Sequence, residues 1–398
     1  MKRNETAPLQ FKTLRLLPPL SLRIQEGLPR LVLDRLTDHE QYSESGWLKI
    51  EDGEGVMLSW GFVDIENNAV HLISSSESDP VTDVVSRFEK AVNKRTALKT
   101  LKGEALRLVN GTGDNLSGFT LDSYGGTLIL SVESEALVHC LRDDTLSFLR
   151  PDHIVLKVRG KGRAFKGKIS QHSLYGKPGE EKTCVQENGI NYFVQPMGGL
   201  DTGLFFDLRG VRKEFAGQVK GKSVLNLFSY TGAFSLAAAV NNARLVVSVD
   251  TSAGCQQWAR ENFRLNNLDP EDERFRFVRD NVFHYLDKLT KRSETYEWII
   301  LDPPARSMAG TGRFFLKSDL HKLVSSCLRL LSPKGRLLVT DNTLQGTEDK
   351  LAQMIRKGSE AINIPCSIVK VFDPEPDFPV HPLWPKGSGV VAMEVERG

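Results

Sequence analysis

Asn226-Leu227-Phe228-Ser229-Tyr230-Thr231-Gly232-Ala233-Phe234 is the stretch on which the reading of the fold depends. It joins a short apolar run, Ser223 to Phe228, to a helix expected over Ala233 to Val240. A buried strand that passes through a polar turn into a helix is the repeating unit of a parallel α/β sheet. The unit recurs downstream. Leu245 to Val249 is closed by Asp250 and followed by a helix through Asn262, Phe275 to Val278 ends at Asp280, and Trp298 to Leu301 ends at Asp302. A helix over Leu320 to Leu331 leads into Arg336 to Thr340, and Ser367 to Val371 with Gly389 to Glu396 would close the sheet as an antiparallel pair. This predicts a doubly wound, mostly parallel sheet whose ligand crevice lies at the carboxyl ends of its strands.

Four polar strand ends then converge on one edge: Phe228 to Gly232, Asp250-Thr251-Ser252, Asp280-Asn281 and Asp302-Pro303-Pro304. A dinucleotide needs Gly-x-Gly-x-x-Gly for close approach of the backbone to its pyrophosphate, and this turn has one glycine, Gly232, between Tyr230 and Phe234. A ligand without phosphates matches better, and S-adenosylmethionine is such a ligand. Asp250 would accept both ribose hydroxyls, Asp280 the adenine amino group, and the turn from Tyr230 to Gly232 would approach the methionine part. Taken singly, Asp250 or Asp280 could equally be a helix N-cap at a strand exit; four ends in register favour the ligand.

Upstream the pattern differs. Leu31 to Leu33, Trp47 to Ile50 and Val70 to Ile73, separated by turn residues, predict a small antiparallel β unit. Val81, Val84, Val85, Phe88 and Val92 then mark one apolar stripe of a helix, which puts a boundary near residue 78. Strands at Phe119 to Asp122, Thr127 to Val132 and Ile154 to Val158, with a helix over about Ala136 to Leu149, form a central α/β insert. Residues 169 to 186, rich in Gly, Lys, Pro and Glu, read as a linker. The expected domains are 1–78, 79–185 and 186–398.

The 398 residues give two to three domains at about 150 each. A net charge of +2 from 52 basic and 50 acidic residues excludes a bulk polycation, so any nucleic-acid affinity must be local. No apolar run approaches the roughly 18 residues needed to span a bilayer. The five cysteines are scattered, with no Cys-x-x-Cys pair or Cys/His cluster to hold a metal, and read as reduced thiols of a cytoplasmic protein. The first 20 residues carry no apolar core of signal-peptide length. No internal repeat is present.

With these residues in place, FSYTGAFS, VVSVDTS, FVRDNVF, LDPP and the upstream stretch Asp201 to Arg209 resemble the class I methyltransferases of bacterial 23S ribosomal RNA, above all the cytosine-C5 group with an N-terminal PUA domain. The resemblance is strong from Gln186 to Asn342 and weaker through Arg107-Leu108-Val109 and Gly118 to Gly125, similar to the family's central α/β domain. The first 75 residues resemble a PUA domain in length, strand pattern and position. The resemblance implies a Rossmann-like domain with a mostly parallel seven-stranded sheet, and a monomeric or homodimeric RNA methyltransferase. It implies S-adenosylmethionine held by Phe228 to Gly232, Asp250, Asp280 and Asp302, with Asp207 and Arg209 on its methionine side. Arg209 could instead be an ordinary ion-paired arginine.

One departure bears on mechanism. Methylating C5 of cytosine needs a thiolate to add at C6. Asn342 stands at the position of the family's cysteine, and Ala305 at the alternative position after Pro304. Either the enzyme methylates an atom that is already nucleophilic (a purine ring nitrogen, an exocyclic amine or a ribose hydroxyl), with Asp302, Pro303 and Asn342 at the transfer site, or it has lost activity. The rivals are C5 methylation with another group replacing the cysteine, and a non-catalytic RNA-binding or assembly protein. For RNA contact, Lys157, Arg159, Lys161, Arg163, Lys166 and Lys168 place six cations in twelve residues with no acid among them; a solvated edge strand would look the same. Arg306, Arg313 and Lys317 could clamp a phosphate, and Trp384 could stack on a flipped base or pack a turn.

Overall fold

The computed structural model describes residues 12–37, 39–74, 79–98, 105–142, 145–149, 152–159, 170–176, 182–198, 201–309, 312–343, 347–385 and 389–398. The first sheet contains β1 (Lys12–Leu16), β2 (Arg30–Val32), β3 (Gly46–Asp52), β4 (Met57–Asp64) and β5 (Ala69–Ser74), with α1 (Leu20–Gln25) between β1 and β2. Its order is β1-β3-β4-β5-β2. The unit is not wholly antiparallel, because β1 pairs with β3 in parallel.

Next comes α2 (Pro80–Thr96), capped by the Asp79 carboxylate on the amides of Val81 and Thr82. The apolar stripe read from the sequence is its buried face: Val84, Phe88 and Val92 pack with Phe62 and Ile73 of the first sheet and with the second sheet. That second sheet holds β6 (Leu106–Asn110), β7 (Phe119–Tyr124), β8 (Thr127–Val132), β9 (His153–Val158) and β10 (Ser170–Tyr175) in the order β10-β9-β8-β7-β6. Two expectations fail here. Ala136 to Leu149 is not one helix but two single 3-10 turns, Ala136–Cys140 and Ser147–Leu149. Between them Arg142 N donates to Thr145 Oγ1 (2.7 Å) and Thr145 N to the Arg142 carbonyl (3.0 Å), a local turn that competes with helix. Nor is 169–186 simply a linker, since β10 pairs antiparallel with the otherwise open edge of β9, and β11 (Thr183–Glu187) forms a hairpin with β12 (Ile190–Val194).

The remainder alternates strand and helix. In chain order it comprises α3 (Arg209–Ala216), β13 (Ser223–Leu227), α4 (Ala233–Val240), β14 (Leu245–Asp250), α5 (Ala253–Leu265), β15 (Phe275–Arg279), α6 (Val282–Lys291) and β16 (Tyr296–Leu301). A hairpin of β17 (Arg306–Ala309) and β18 (Gly312–Phe315) leads into α7 (Leu316–Leu330), β19 (Leu331–Asp341), α8 (Glu348–Glu360), β20 (Cys366–Phe372) and β21 (Val391–Arg397). The sheet order is β15-β14-β13-β16-β19-β21-β20. The first four pairings are parallel, and β21 is antiparallel to both its neighbours.

Both faces of this sheet are covered, and the period-2 pleat decides which residue serves which face. Val224, Val246 and Ile300 pack with the helices α3 to α5, while Leu225, Leu227, Val247, Val249, Ile299 and Leu301 pack with α6 to α8. The strand order reverses beside β13, so the crevice opens above the ends of β13, β14 and β16. The connection from β20 to β21 leaves this sheet and threads the others. Asp377 accepts from the amide of Arg107, Pro379 from Asn110, and Leu383 and Trp384 pack on the core of the first sheet. Trp384 therefore packs a turn.

Candidate functional site

The turn after β13 is strained. Phe228 (φ 57°) and Tyr230 (φ 50°) adopt the left-handed conformation that non-glycine residues enter at a cost of about 1–3 kcal/mol. At Gly232 φ is 81°, and a Cβ there would stand 2.9 Å from that of Ala259. The strain is held by tertiary bonds. Tyr230 N donates to Asp250 Oδ2 (2.9 Å), Ser229 N to the Val249 carbonyl (3.0 Å) and Thr231 Oγ1 to the Gly203 carbonyl (2.6 Å). Thr231 is thus spent on the scaffold by its side chain. Ser229 Oγ is buried and has no hydrogen-bond partner among the described residues.

Asp250 is oriented through both oxygens, Oδ2 by Tyr230 and Oδ1 by the amide of Ser252 (2.9 Å). It is half-buried at the crevice floor, and each oxygen keeps a lone pair for a further donor. The helix caps at these strand exits are the neighbouring residues. Ser252 Oγ accepts from Cys255 N and caps α5, and Asn281 accepts from Phe283 N and caps α6. Those two side chains, expected at the ligand, are consumed by the helices, and Thr251 is exposed. Asp280 accepts from Asn281 N (2.8 Å), His284 Nδ1 (3.0 Å) and Lys288 Nζ (2.9 Å). Burial alone would raise its pKa, but Lys288, His284 and the Asn281 amide outweigh it and hold the carboxyl below the usual range.

Asp302 leaves the end of β16 half-buried and accepts at Oδ1 from Thr340 Oγ1 of β19. Burial pushes its carboxyl up, against the pull of Thr340 and Arg212. Asn342 Nδ2 donates to the Pro303 carbonyl at 3.4 Å, so the three residues expected at the transfer site do meet. Thr340, which orients Asp302, gave no sequence signal beyond its place in an apolar run.

The Asp207 carboxyl is pushed up to about 6 by burial, and further by the Asp302 charge, against Arg212 and Arg107. Its Oδ1 is buried without a hydrogen-bond partner among the described residues. Arg209 does not share this position. It is 2 % exposed and spends its guanidinium on Asp377 (3.1 Å to each oxygen) and on the Ala105 carbonyl (2.9 Å), which makes it the ion-paired arginine of the alternative reading.

The basic segment is corrected in part. Lys157 is 0 % exposed in β9, an interior strand of its sheet, with its ammonium 3.4 Å from the Gly198 carbonyl. Burial and Arg159 lower its pKa to about 8 against the pull of Asp201 and Asp122. Arg159 is exposed. Lys161, Arg163, Lys166 and Lys168 lie outside the described residues, as do the side chains of Arg306 and Arg313. Cys255, in the first turn of α5, has crevice residues in its surroundings; burial pushes its thiol up against Ser252, and Asp250 and Asp201 push it further.

A strained turn after β13 and an oriented carboxylate at the end of β14 face one crevice at the carboxyl ends of the sheet, the place where open α/β sheets hold their ligands. The chain belongs to the S-adenosylmethionine-dependent methyltransferases, whose family model matches residues 147–383. It is 29% identical over 398 residues, 97% of this chain and 100% of the relative, to YwbD of Bacillus subtilis, which is provisionally named a ribosomal RNA large subunit methyltransferase. It is 29% identical to ribosomal RNA large subunit methyltransferase I of Yersinia pseudotuberculosis, covering 85% of this chain and 87% of that one. The crystal structure of SMU.776 complexed with SAH superposes with a TM-score of 0.87 at 27% identity, covering 97% of this chain and 100% of that one.

The residues present fit the cofactor. Asp250 is pre-oriented for two hydroxyl donors, while Ser229 Oγ and Asp207 Oδ1 are buried polar atoms that lack protein partners among the described residues. Hydrogen bonds to a charged group contribute about 1.5–3 kcal/mol each. Asp250→Ala is therefore expected to weaken S-adenosylmethionine binding at least about 100-fold by calorimetry; affinity within threefold of wild type would remove Asp250 from the site.

Proposed function

We propose that this methyltransferase acts on RNA of the large ribosomal subunit, by direct transfer to a base amino nitrogen and without a cysteine nucleophile. The observation that carries the reading is the meeting of Asn342 with the Pro303 carbonyl beside Asp302, at the place where a thiolate would have to stand. The names of the relatives support the RNA substrate. Residues 1–78, 79–185 and 186–398 would serve as a PUA-like unit, a central α/β domain and the transferase domain of a monomer or homodimer. Phe228 to Gly232, Asp250, Asp280 and Asp207 would hold the cofactor, with the backbone of Thr251, Ser252 and Asn281 completing its rim.

S-adenosylmethionine, when bound, supplies a methyl group on a sulfonium whose sulfur keeps the bonding pair. The chain's own residues prepare the acceptor. A base amino group donates one N–H to Asp302 Oδ2 and another to the Pro303 carbonyl, which leaves its lone pair directed at the cofactor. As the nitrogen–methyl bond forms, the proton it displaces passes to Asp302 Oδ2. Burial makes this carboxylate a stronger base than an exposed one. Asn342 holds the Pro303 carbonyl in place.

Positioned acid–base groups contribute about 10²–10⁴-fold. Asp302→Asn is expected to lower kcat for transfer of tritiated methyl to ribosomal RNA by about that factor while leaving cofactor affinity within threefold. Mass spectrometry of nucleosides from the labelled RNA tests the product. An amino-methylated base is expected; 5-methylcytosine would overturn the mechanism, and binding of RNA without any label would overturn catalysis.

A further inference from the structure

Among the described residues β12 has a strand, β11, on one side only. Such an edge leaves backbone donors and acceptors to be satisfied by other groups. Three side chains of α5 meet it. Asn266 Nδ2 donates to the Asn191 carbonyl (2.7 Å), and Asn266 Oδ1 accepts from the Asn191 amide (2.9 Å). Asn262 Oδ1 accepts from the Phe193 amide (2.9 Å), and Trp258 Nε1 donates to the Phe193 carbonyl (3.0 Å). Residues 258, 262 and 266 recur every four positions and share one helix face. Their polar atoms take the place of a third strand.

Asn262 differs from the other two in its second arm. Its Nδ2 donates to the Thr231 carbonyl (3.1 Å), inside the strained turn after β13, and the residue is 0 % exposed. That carbonyl belongs to the peptide joining Thr231 to Gly232, so its direction sets how the turn enters α4. The same part of α5 also closes on the turn by packing. Ala259 stands against Gly232, and the Trp258 ring covers Gly203, whose carbonyl accepts from Thr231 Oγ1. Thr231 is thus held at its hydroxyl and at its carbonyl, while Tyr230, left-handed before it, is held at its amide by Asp250. Backbone in that conformation persists where its surroundings over-determine it.

Resting on the assignment of Phe228 to Gly232 to the cofactor, we propose that Asn262 is a positioning residue for S-adenosylmethionine, tying the turn to the hairpin of β11 and β12 and holding it in its binding shape. Asn262 acts through Thr231, because its oxygen and its nitrogen are both bonded to backbone. A turn without this bond populates its binding shape for a smaller fraction of the time, and the apparent affinity of the cofactor falls by that fraction. Asn266 is the internal comparison. It bonds the same hairpin edge, but spends its amide on Asn191 and on the Asn262 carbonyl.

The full chain is titrated with S-adenosylhomocysteine by calorimetry, and its stability is followed by urea unfolding. Asn262→Asp keeps the acceptor for Phe193 and removes the donor to Thr231; Asn262→Ala removes both bonds and favours the helix. Both are expected to bind at least about tenfold more weakly, the effect of leaving a buried carbonyl without its donor. Asn266→Ala should lower the urea midpoint as well, yet bind within twofold of wild type. Binding within threefold of wild type in both Asn262 variants overturns the proposal. So does an equal loss in Asn266→Ala, which would make hairpin docking alone the cause. Hydrogen exchange of the wild-type chain gives a readout that needs no variant. S-adenosylhomocysteine should protect the side-chain amide of Asn262 at least tenfold more than that of Asn266; equal protection overturns the positioning role. Asp250→Ala separates the two readings. If it also binds as wild type does, the turn is not the cofactor site and the assignment falls. If it weakens binding while the Asn262 variants do not, only the positioning role falls.

Discussion

Asp377→Ala is expected to lower the stability of the folded chain by about 3–5 kcal/mol, the range for removing one partner of a buried ion pair. Asp377 is 0 % exposed and bonds through each oxygen to Arg209 at 3.1 Å. The same carboxylate accepts from the Arg107 amide at 2.9 Å, and the Asp377 carbonyl accepts from Arg95, itself paired with Asp114. The substitution leaves the buried Arg209 guanidinium with the Glu375 carboxylate at 3.9 Å. It also unties the segment that joins the transferase sheet to the second sheet. Urea unfolding should show the loss as a fall in midpoint at near-constant slope. A loss under 1 kcal/mol would mean that Glu375 compensates and that the pair is not the joint between the two sheets.

Asp207→Asn is expected to do the opposite to stability and to harm function. Burial raises the Asp207 carboxyl to about 6 in the folded chain, above its ordinary 3.8. The folded chain thus binds this proton more tightly than the unfolded chain, and stability falls as pH rises from 3.8 through 6. At pH 7 the ionised carboxylate opposes folding by about 3 kcal/mol, from a shift near two units at 1.36 kcal/mol each. Asparagine, neutral throughout, removes that cost. The variant should be more stable than wild type by up to about 3 kcal/mol at pH 7, and the advantage should shrink as pH falls below 6. Urea midpoints between pH 5 and 8 measure it. A pH-independent difference would show that Asp207 is not held up by burial. Its loss of methyl transfer would make the wild-type charge a functional expense of stability.

Much of the site was legible because its elements are local. A strand end, a turn with one glycine and an aspartate at the next strand exit lie within a few residues of each other, and Tyr230 N on Asp250 joins two such ends across neighbouring strands. Several polar side chains read as ligand groups have a second use in the fold. Ser252 and Asn281 cap helices, Thr231 bonds to Gly203, and Arg209 is buried on Asp377, yet each stood among residues that suit a ligand. Lys157 looked like part of a basic surface strip, but β9 is an interior strand and the side chain is buried, with its ammonium on the Gly198 carbonyl. Helix continuity from Ala136 to Leu149 failed because the Thr145 hydroxyl and amide compete for Arg142 over three residues.

From the sequence alone came the alternation of strand and helix, the edge on which the polar strand ends gather, the mismatch with a pyrophosphate and the lack of a cysteine at residues 305 and 342. These depend on periodicity, on steric room in one turn and on residue identity, all of which short stretches carry. Which polar groups remain available for a ligand was decided only by the tertiary structure. A carboxylate or guanidinium is satisfied or left in want by partners far off in the chain, as Arg209 is by a residue 168 positions away while Asp207 Oδ1 keeps no partner among the described residues. The cost of burying such groups is set by what surrounds them after folding, and no local pattern records it.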